Sequence, residues 1–355
     1  RNLKMIEETT FSNIEIKKQL YKKYGLKVEN IETVNKGTAN IYKIRANNKD
    51  FILKEFQSKY SQNDVLKEIN AIKYLKENSK VPLPTYLKNN NNEFFFEHKG
   101  RVVVIQDFIE GKVFEKNTGS FEQLLESGYY LGQIIKGFEG YKIDDEVNIM
   151  DWYSEKEFNK ANEKYDEILK NLDDSEISTK IKDDIVFKKQ LLKELGKNKK
   201  LKGLSNITHK VSHGDYSSLQ FIYNDENKIK AIIDFIKVKK LPIIWEIARS
   251  YSYIDKEARN GIININNIVE YTKEVCKITN LNEYDLKYLP YVYLIQLARS
   301  TFGYSEYFKE NVKNKEELIN FAFYRTNICR ELYKKTNEIS NKLLELKGSI
   351  KRWRM

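Results

Sequence analysis

The stretch His213-Gly214-Asp215-Tyr216-Ser217-Ser218-Leu219-Gln220, followed across a polar turn by Ile232-Ile233-Asp234-Phe235, carries the reading of this chain. Residues 219–223 and 230–235 read as short strands joined by Asn224-Asp225-Glu226-Asn227, because apolar runs bounded by Asn and Asp favour a hairpin. Two acids beside short strands, separated by one hairpin, can converge on one cleft. There one acid orients or deprotonates a hydroxyl while the other holds Mg²⁺ beside a triphosphate. His-Gly-Asp alone suits a plain structural turn equally well. Asp234 between apolar residues is harder to dismiss, since a buried carboxylate is costly without a hydrogen bond or a metal.

Working outward toward the N-terminus, residues 11–24 read as an amphipathic helix closed by Gly25, and residues 28–34, 39–46 and 51–56 as strands. Asn47-Asn48-Lys49-Asp50 makes a hairpin of the last two. Ser61 or Asn63 starts a helix with Val65, Ile69, Ile72 and Leu75 at near-helical spacing, stopped by Val81-Pro82-Leu83-Pro84. Residues 93–97 and 101–106 complete a strand-rich unit. Lys54 lies in an apolar strand and Glu68 in the helix that follows. A carboxylate there can pair with the ammonium and aim it at phosphate oxygens. Lys54 facing solvent, with Glu68 merely decorating its helix, is the plainer alternative. Residues 35–40, with Gly37, can form a phosphate-covering turn, although a single glycine does not match the glycine-rich triphosphate loops.

Beyond Asp107-Phe108-Ile109-Glu110-Gly111 the pattern becomes helical, at 121–138, 154–171, 175–195, 244–253, 265–276, 285–302 and 316–346. Gly348 is expected to end the last helix and leave a basic tail. The fold class is therefore α+β, a small strand-rich N-terminal part followed by a large helical one. The expected division is 1–106, a connector at 107–111, and 112–355.

With 62 Lys plus Arg against 51 Asp plus Glu, the net charge of +11 allows anionic partners but equally describes a basic soluble surface. No zinc pattern, basic coiled coil or aromatic RNA-binding motif supports a specific nucleic-acid role. Two cysteines, Cys276 and Cys329, cannot supply a disulfide framework, so a reducing, intracellular compartment is the expectation. No 18-residue apolar run or secretory signal core is evident, and the expectation is a chain without a transmembrane segment.

Together, Lys54, Glu68, Asp215 and Asp234 resemble the site residues of the aminoglycoside phosphotransferase and choline kinase superfamily, with HGDYSSLQ and IIDF as the strongest motifs. The resemblance spans roughly 28–253 and extends more narrowly to a bacterial spore-coat-associated, kinase-like branch. It implies a bilobal protein-kinase-like fold and an ATP-dependent, Mg²⁺-requiring transfer to a hydroxyl of a small molecule. Asp215 would be the catalytic aspartate, with His213 shaping its loop. Asp234 would be the metal ligand, with Gln220 standing where the family usually has Asn. Lys54 and Glu68 would grip the nucleotide under Gly37, and 106–110, with Gln106 and Phe108, would meet the adenine edge. Glu246, in Trp245-Glu246-Ile247-Ala248-Arg249, would anchor the catalytic loop in place of the family's usual Asp. Gln220 is one methylene longer than Asn, which strains the tight geometry Mg²⁺ demands.

Lys237, Lys239 and Lys240 either neutralise phosphate or form a solvated basic turn. Tyr284, Tyr288, Tyr291 and Tyr293 either line an acceptor pocket or fill the core. Polycationic aminoglycosides fit a chain of charge +11 less well than sugars or amino alcohols do. A catalytically inactive kinase-like scaffold, in a spore coat for instance, is the rival reading.

Overall fold

The computed structural model describes residues 7–34, 39–310, 312 and 314–352. Two compact units emerge, one from Arg1–Val113 with Leu219–Val238, the other from Phe114–Ser218 with Lys239–Met355. The hairpin that follows Asp215 thus belongs with the N-terminal strands.

The first unit runs through α1 (Asn13–Tyr24), β1 (Val28–Val34), β2 (Ala39–Ala46), β3 (Lys49–Phe56), α2 (Gln62–Asn78), β4 (Phe95–His98) and β5 (Arg101–Asp107). Its described strands form an antiparallel sheet in the order β1-β2-β3-β5-β4. The β2–β3 turn places Asn47 and Asn48 at φ of 49° and 59°, left-handed conformations that Asn tolerates and that match strand twist.

Register decides what each face carries. Lys54 stands opposite Ile41 and Val104, and Ile52 opposite Gln106. Opposed residues share a face and neighbours along a strand alternate, so Lys54 and Gln106 lie on one face, Leu53 and Ile105 on the other. Leu53, Ile105, Val103 and Ile44 bury against Ile16 and Leu20 of α1. Helix α2 starts at Ser61, whose side chain caps the Asp64 amide while Asp64 caps the Ser61 amide. Such a cap stabilises the first turn by about 1 kcal/mol. Among its buried Val65, Ile69, Ile72 and Leu75, α2 also buries Glu68.

In the hairpin, Phe221–Tyr223 pairs with Ile229–Ile232. The second strand ends earlier than 235, because Asp234 takes φ 67° and breaks the extended backbone. Ile232 N–H donates to Pro82 O at 2.9 Å, and Lys112 N–H donates to Tyr223 O at 2.8 Å, so the hairpin is bonded into its unit. A Cβ on Gly111 would lie 2.4 Å from Tyr223 O and 2.5 Å from an Ile222 methyl. That approach is open to glycine alone.

The second unit holds α3 (Phe121–Gly137), α4 (Glu155–Leu169), α5 (Glu176–Lys197), α6 (Ile243–Ile254), α7 (Ile265–Cys276), α8 (Glu283–Arg299), a short α9 (Tyr304–Tyr307) and α10 (Lys315–Arg352). Helix α10 continues through Gly348 rather than stopping there. An interior glycine costs a helix only about 1 kcal/mol.

A two-stranded ribbon, His209–Ser212 with Lys239–Pro242, lies where no strand is expected. Lys239 and Lys240 belong to it, as strand residues and not as a turn, and face Asp145 at 3.8 Å and Glu146 at 3.1 Å. Tyr288 and Tyr293 are buried core residues, whereas Tyr284 is exposed. Cys276 and Cys329 are buried thiols. No helix among the described residues is long and apolar enough to cross a membrane.

Candidate active site

In the first unit, β3 and α2 bring Lys54 and Glu68 together, with Lys54 Nζ 3.9 Å from Glu68 Oε1. Both are withdrawn from solvent, at 5% and 0% exposure. Glu68 Oε1 also accepts the Phe235 N–H at 3.2 Å, which ties α2 to the residue after Asp234. Burial raises the Glu68 pKa, Lys54 opposes that rise, and the Asp234 carboxylate adds to it. Lys54 and Asp234 therefore both act electrostatically on Glu68.

The Asp234 side chain makes no hydrogen bond or ion pair among the described residues, although its left-handed backbone costs roughly 1–3 kcal/mol for a non-glycine residue. Gln220 precedes one strand of the hairpin and Asp234 follows the other, so both flank the same end. Gln220 O accepts the Ile233 N–H at 3.0 Å, and its side-chain amide has no partner among the described residues. One uncommitted carboxylate and one uncommitted amide oxygen suit a Mg²⁺ ion that keeps its other positions for phosphate oxygens and water. No cluster of three His, Cys, Asp or Glu that could enclose a metal exists among the described residues.

Gln106 is buried, and its Oε1 has no hydrogen-bond partner among the described residues. Phe108 donates its N–H to Asp50 O at 3.3 Å and carries Lys43 Nζ 4.3 Å above its ring. Phe108 lines a concavity of ≈530 Å³ with Lys43, Asp50 and Asp107, a lining that does not include Gln106 or Lys54. Gly37 lies outside the described residues.

In the second unit, the loop after His209–Ser212 is fixed from several directions. Glu246 of α6 accepts the Gly214 N–H at 3.0 Å through Oε2 and the Tyr216 N–H at 3.1 Å through Oε1. His213 Nδ1 accepts the Asp215 N–H at 3.3 Å. Tyr216 donates its hydroxyl to Ser127 O at 2.8 Å, and Ser218 donates to Tyr253 O at 3.2 Å. Within this cage the Asp215 carboxylate accepts from Arg249 Nη2 in a tight ion pair. Burial alone would lower the Arg249 pKa, but Asp215, with weaker help from Tyr253, Tyr293 and Glu246, holds it above the ordinary guanidinium value.

A sequence model of the phosphotransferase enzyme family matches residues 30–266. The chain belongs to that family. Its enzyme class is therefore that of the phosphotransferases. No curated protein matches this phosphotransferase.

Solved structures resemble it throughout. A spectinomycin phosphotransferase in complex with ADP and spectinomycin has 14% identity and a TM-score of 0.66, over 92% of this chain and 100% of that one. An aminoglycoside phosphotransferase from Alicyclobacillus acidocaldarius has 10% identity and a TM-score of 0.64, over 94% and 98%. An amicoumacin kinase in complex with AMP-PNP, Ca²⁺ and its ligand has 14% identity and a TM-score of 0.61, over 90% and 94%. At such identities the likeness shows the fold, a kinase-like α+β architecture with a five-stranded N-terminal sheet among the described residues.

In this phosphotransferase the sequence reading missed Arg249. Its signal was nonetheless present: Glu246 and Arg249 are a charged pair at i, i+3 in the otherwise apolar Ile243–Ile254, a spacing that puts both on one helix face.

Proposed function

We propose that this phosphotransferase moves the γ-phosphoryl group of ATP to a hydroxyl of a small molecule. The observation that carries the proposal is the link from Lys54 through Glu68 to the Phe235 amide, which joins a phosphate-gripping ammonium to the strand end bearing Asp234. In this reading Lys54 binds the α- and β-phosphates, oriented by Glu68. Asp234 and Gln220 would hold Mg²⁺, which would supply positive charge to the transferring phosphates. Solved relatives bound to ADP and AMP-PNP support a nucleotide role.

Asp215 orients the acceptor hydroxyl and receives its proton. A bond forms between the acceptor oxygen and the γ-phosphorus, and the bond from that phosphorus to the β–γ bridging oxygen breaks. The products are ADP and a phosphate monoester, with the proton passing from Asp215 to solvent. Glu246 and His213 are positioning residues, because they hold the backbone of Gly214, Asp215 and Tyr216. Gln106 and Phe108 are proposed to meet the adenine. Dependence on ATP places the enzyme inside the cell, where buried thiols such as Cys276 and Cys329 stay reduced.

Calorimetric titration of ATP with and without Mg²⁺, followed by phosphate-transfer assays over a panel of alcohols, tests the proposal. Mg²⁺-dependent binding and turnover are expected. No nucleotide binding at millimolar ATP would overturn it in favour of a kinase-like scaffold, such as a spore-coat component.

A further inference from the structure

Three cations from three separate elements of the second unit gather around a pair of aromatic rings. Lys116, from the segment before α3, sits with its Nζ 4.5 Å from the Tyr253 ring centre and 5.2 Å from that of Phe321. Arg249 of α6 lies 4.9 Å from the Tyr253 ring, and Arg325 of α10 lies 5.8 Å from the Phe321 ring. The two rings stack with centres 6.2 Å apart. The cations thus share one aromatic platform, and one of them holds Asp215.

Negative charge is scarce here. Arg249 has Asp215. Lys116 has no ion pair among the described residues and sits over the two rings. Arg325 donates to neutral partners, Ser300 Oγ at 2.8 Å and Gln296 Oε1 at 3.3 Å, and its buried Nε has no hydrogen-bond partner among the described residues, in a side chain on a residue only 9% exposed. The acids nearest in the chain are committed elsewhere. Glu246 accepts two backbone amides, and Asp255 accepts Tyr251 Oη at 2.7 Å and Asn267 Nδ2 at 3.1 Å.

Withdrawn cations without counter-charges are costly, and their effect is visible on their neighbours. Burial alone would raise the Tyr253 pKa, yet Arg325, Arg249 and Lys116 together bring it below the usual phenol value. Burial lowers the Lys116 pKa, with Arg249 and Arg325 adding to the fall and Tyr253 and Asp215 opposing it. Three cations stand against the single Asp215 carboxylate, so the local charge is net positive.

We infer that the acceptor alcohol carries an anionic group, a carboxylate or a phosphate, which Lys116, Arg249 and Arg325 bind while Asp215 receives its hydroxyl. Guanidinium forks match both anions bidentately, and the ammonium adds a point charge. An amino-alcohol or aminoglycoside acceptor would bring a further cation to a site already in surplus, at a cost in binding. The inference rests on the kinase reading above, and it names the class of substrate for that reaction.

The test separates the two. Calorimetry on the full chain without nucleotide uses glycerate as the carboxylate probe, glycerol 3-phosphate as the phosphate probe, glycerol as the neutral probe and choline as the cationic one. Phosphate transfer from ATP to the same four compounds is measured in parallel. Binding of at least one anionic probe, about 10-fold or more tighter than glycerol and choline, is expected, since one charge-assisted contact contributes about 1.5–3 kcal/mol. In Lys116→Met that preference should fall about 10-fold, with KM for the acceptor rising and KM for ATP unmoved. Arg325→Gln repeats the measurement from a second element, with the melting midpoint as its folding control, and Lys116→Met, at a less buried position, carries the test if that variant does not fold.

Equal or tighter binding of choline, no anion binding at 10-fold above about 1 mM, a concentration typical of weak acceptors, or anion binding indifferent to Lys116→Met would overturn the inference. Anion binding without nucleotide binding would leave the anion site standing and remove the kinase reading instead.

Discussion

The two units carry opposite charge imbalances. In the first, Glu68 pairs with the ammonium of Lys54 while the carboxylate of Asp234, which acts on Glu68, has no ion pair among the described residues. In the second, one carboxylate, Asp215, attends Arg249 while Lys116 and Arg325 go without. Each surplus describes what is missing from it. A set with an unspent carboxylate and amide suits a cation that arrives with phosphates, whereas a set with unspent cations suits an anion. The comparison teaches that an unmatched buried charge is better evidence of a ligand's sign than the charge of the whole chain.

The largest expected effect falls on the acid of the second unit. Asp215→Asn should lower kcat by about a thousandfold, within the range for losing a positioned acid or base, and leave ATP affinity unchanged. Steady-state kinetics with a calorimetric ATP titration checks both, and full turnover would remove Asp215 from the chemistry. Next comes the ammonium of the first unit. Lys54→Met should weaken ATP binding by about 10- to 100-fold, the worth of one charge-assisted contact. Equal affinity in the two proteins would mean that Lys54 and Glu68 pair for structural reasons alone.

Gly111→Val probes the hairpin that supplies Asp234 and Gln220. Forcing a side chain against Tyr223 O should cost about 1–3 kcal/mol of stability, read as a lower urea midpoint. An unchanged midpoint would show that 111–112 does not hold the hairpin in place.

The smallest effect concerns a cation deeper in the second unit. Lys188 is fully buried, donates to Ser300 O at 2.9 Å, and burial lowers its pKa to about 8. Unfolded lysine titrates near 10.5, so from about pH 8 to 10.5 the unfolded state binds more protons and stability rises with pH. Lys188→Met removes that dependence. Its stability advantage over the natural chain should be greatest at or below pH 8 and shrink by about 1 kcal/mol per pH unit above it. Parallel curves from pH 7.5 to 9.5 would contradict a buried, charged Lys188.

Much of this was legible in the residues. Helix 265–276 matches its expected bounds, and Ser61 caps α2, because caps and periodicity are local signals. Lys54 and Glu68 were readable as a pair because a strand leading into a helix brings them together within a few turns of chain. Glu246 could be placed because it sits in a short, recognisable segment after Asp234. The cations around Tyr253 were not legible. Lys116, Arg249 and Arg325 come from distant parts of the chain, and apart from the spacing of Arg249 from Glu246 nothing local distinguishes them from dozens of other basic residues. The ribbon of His209–Ser212 and Lys239–Pro242 escaped notice for a related reason. Its four-residue strands are too short for alternation to show, and their pairing encloses a hairpin that belongs to the other unit.

Helix α6 holds the loop of Asp215 twice, by the two amides bound to Glu246 and by the guanidinium of Arg249 on Asp215. Backbone and carboxylate are therefore referenced to a single rigid rod. Sequence drift that tilts or slides this rod would carry the aspartate along with its loop, so neighbouring packing can diverge widely before the Asp215 carboxylate shifts relative to its own backbone.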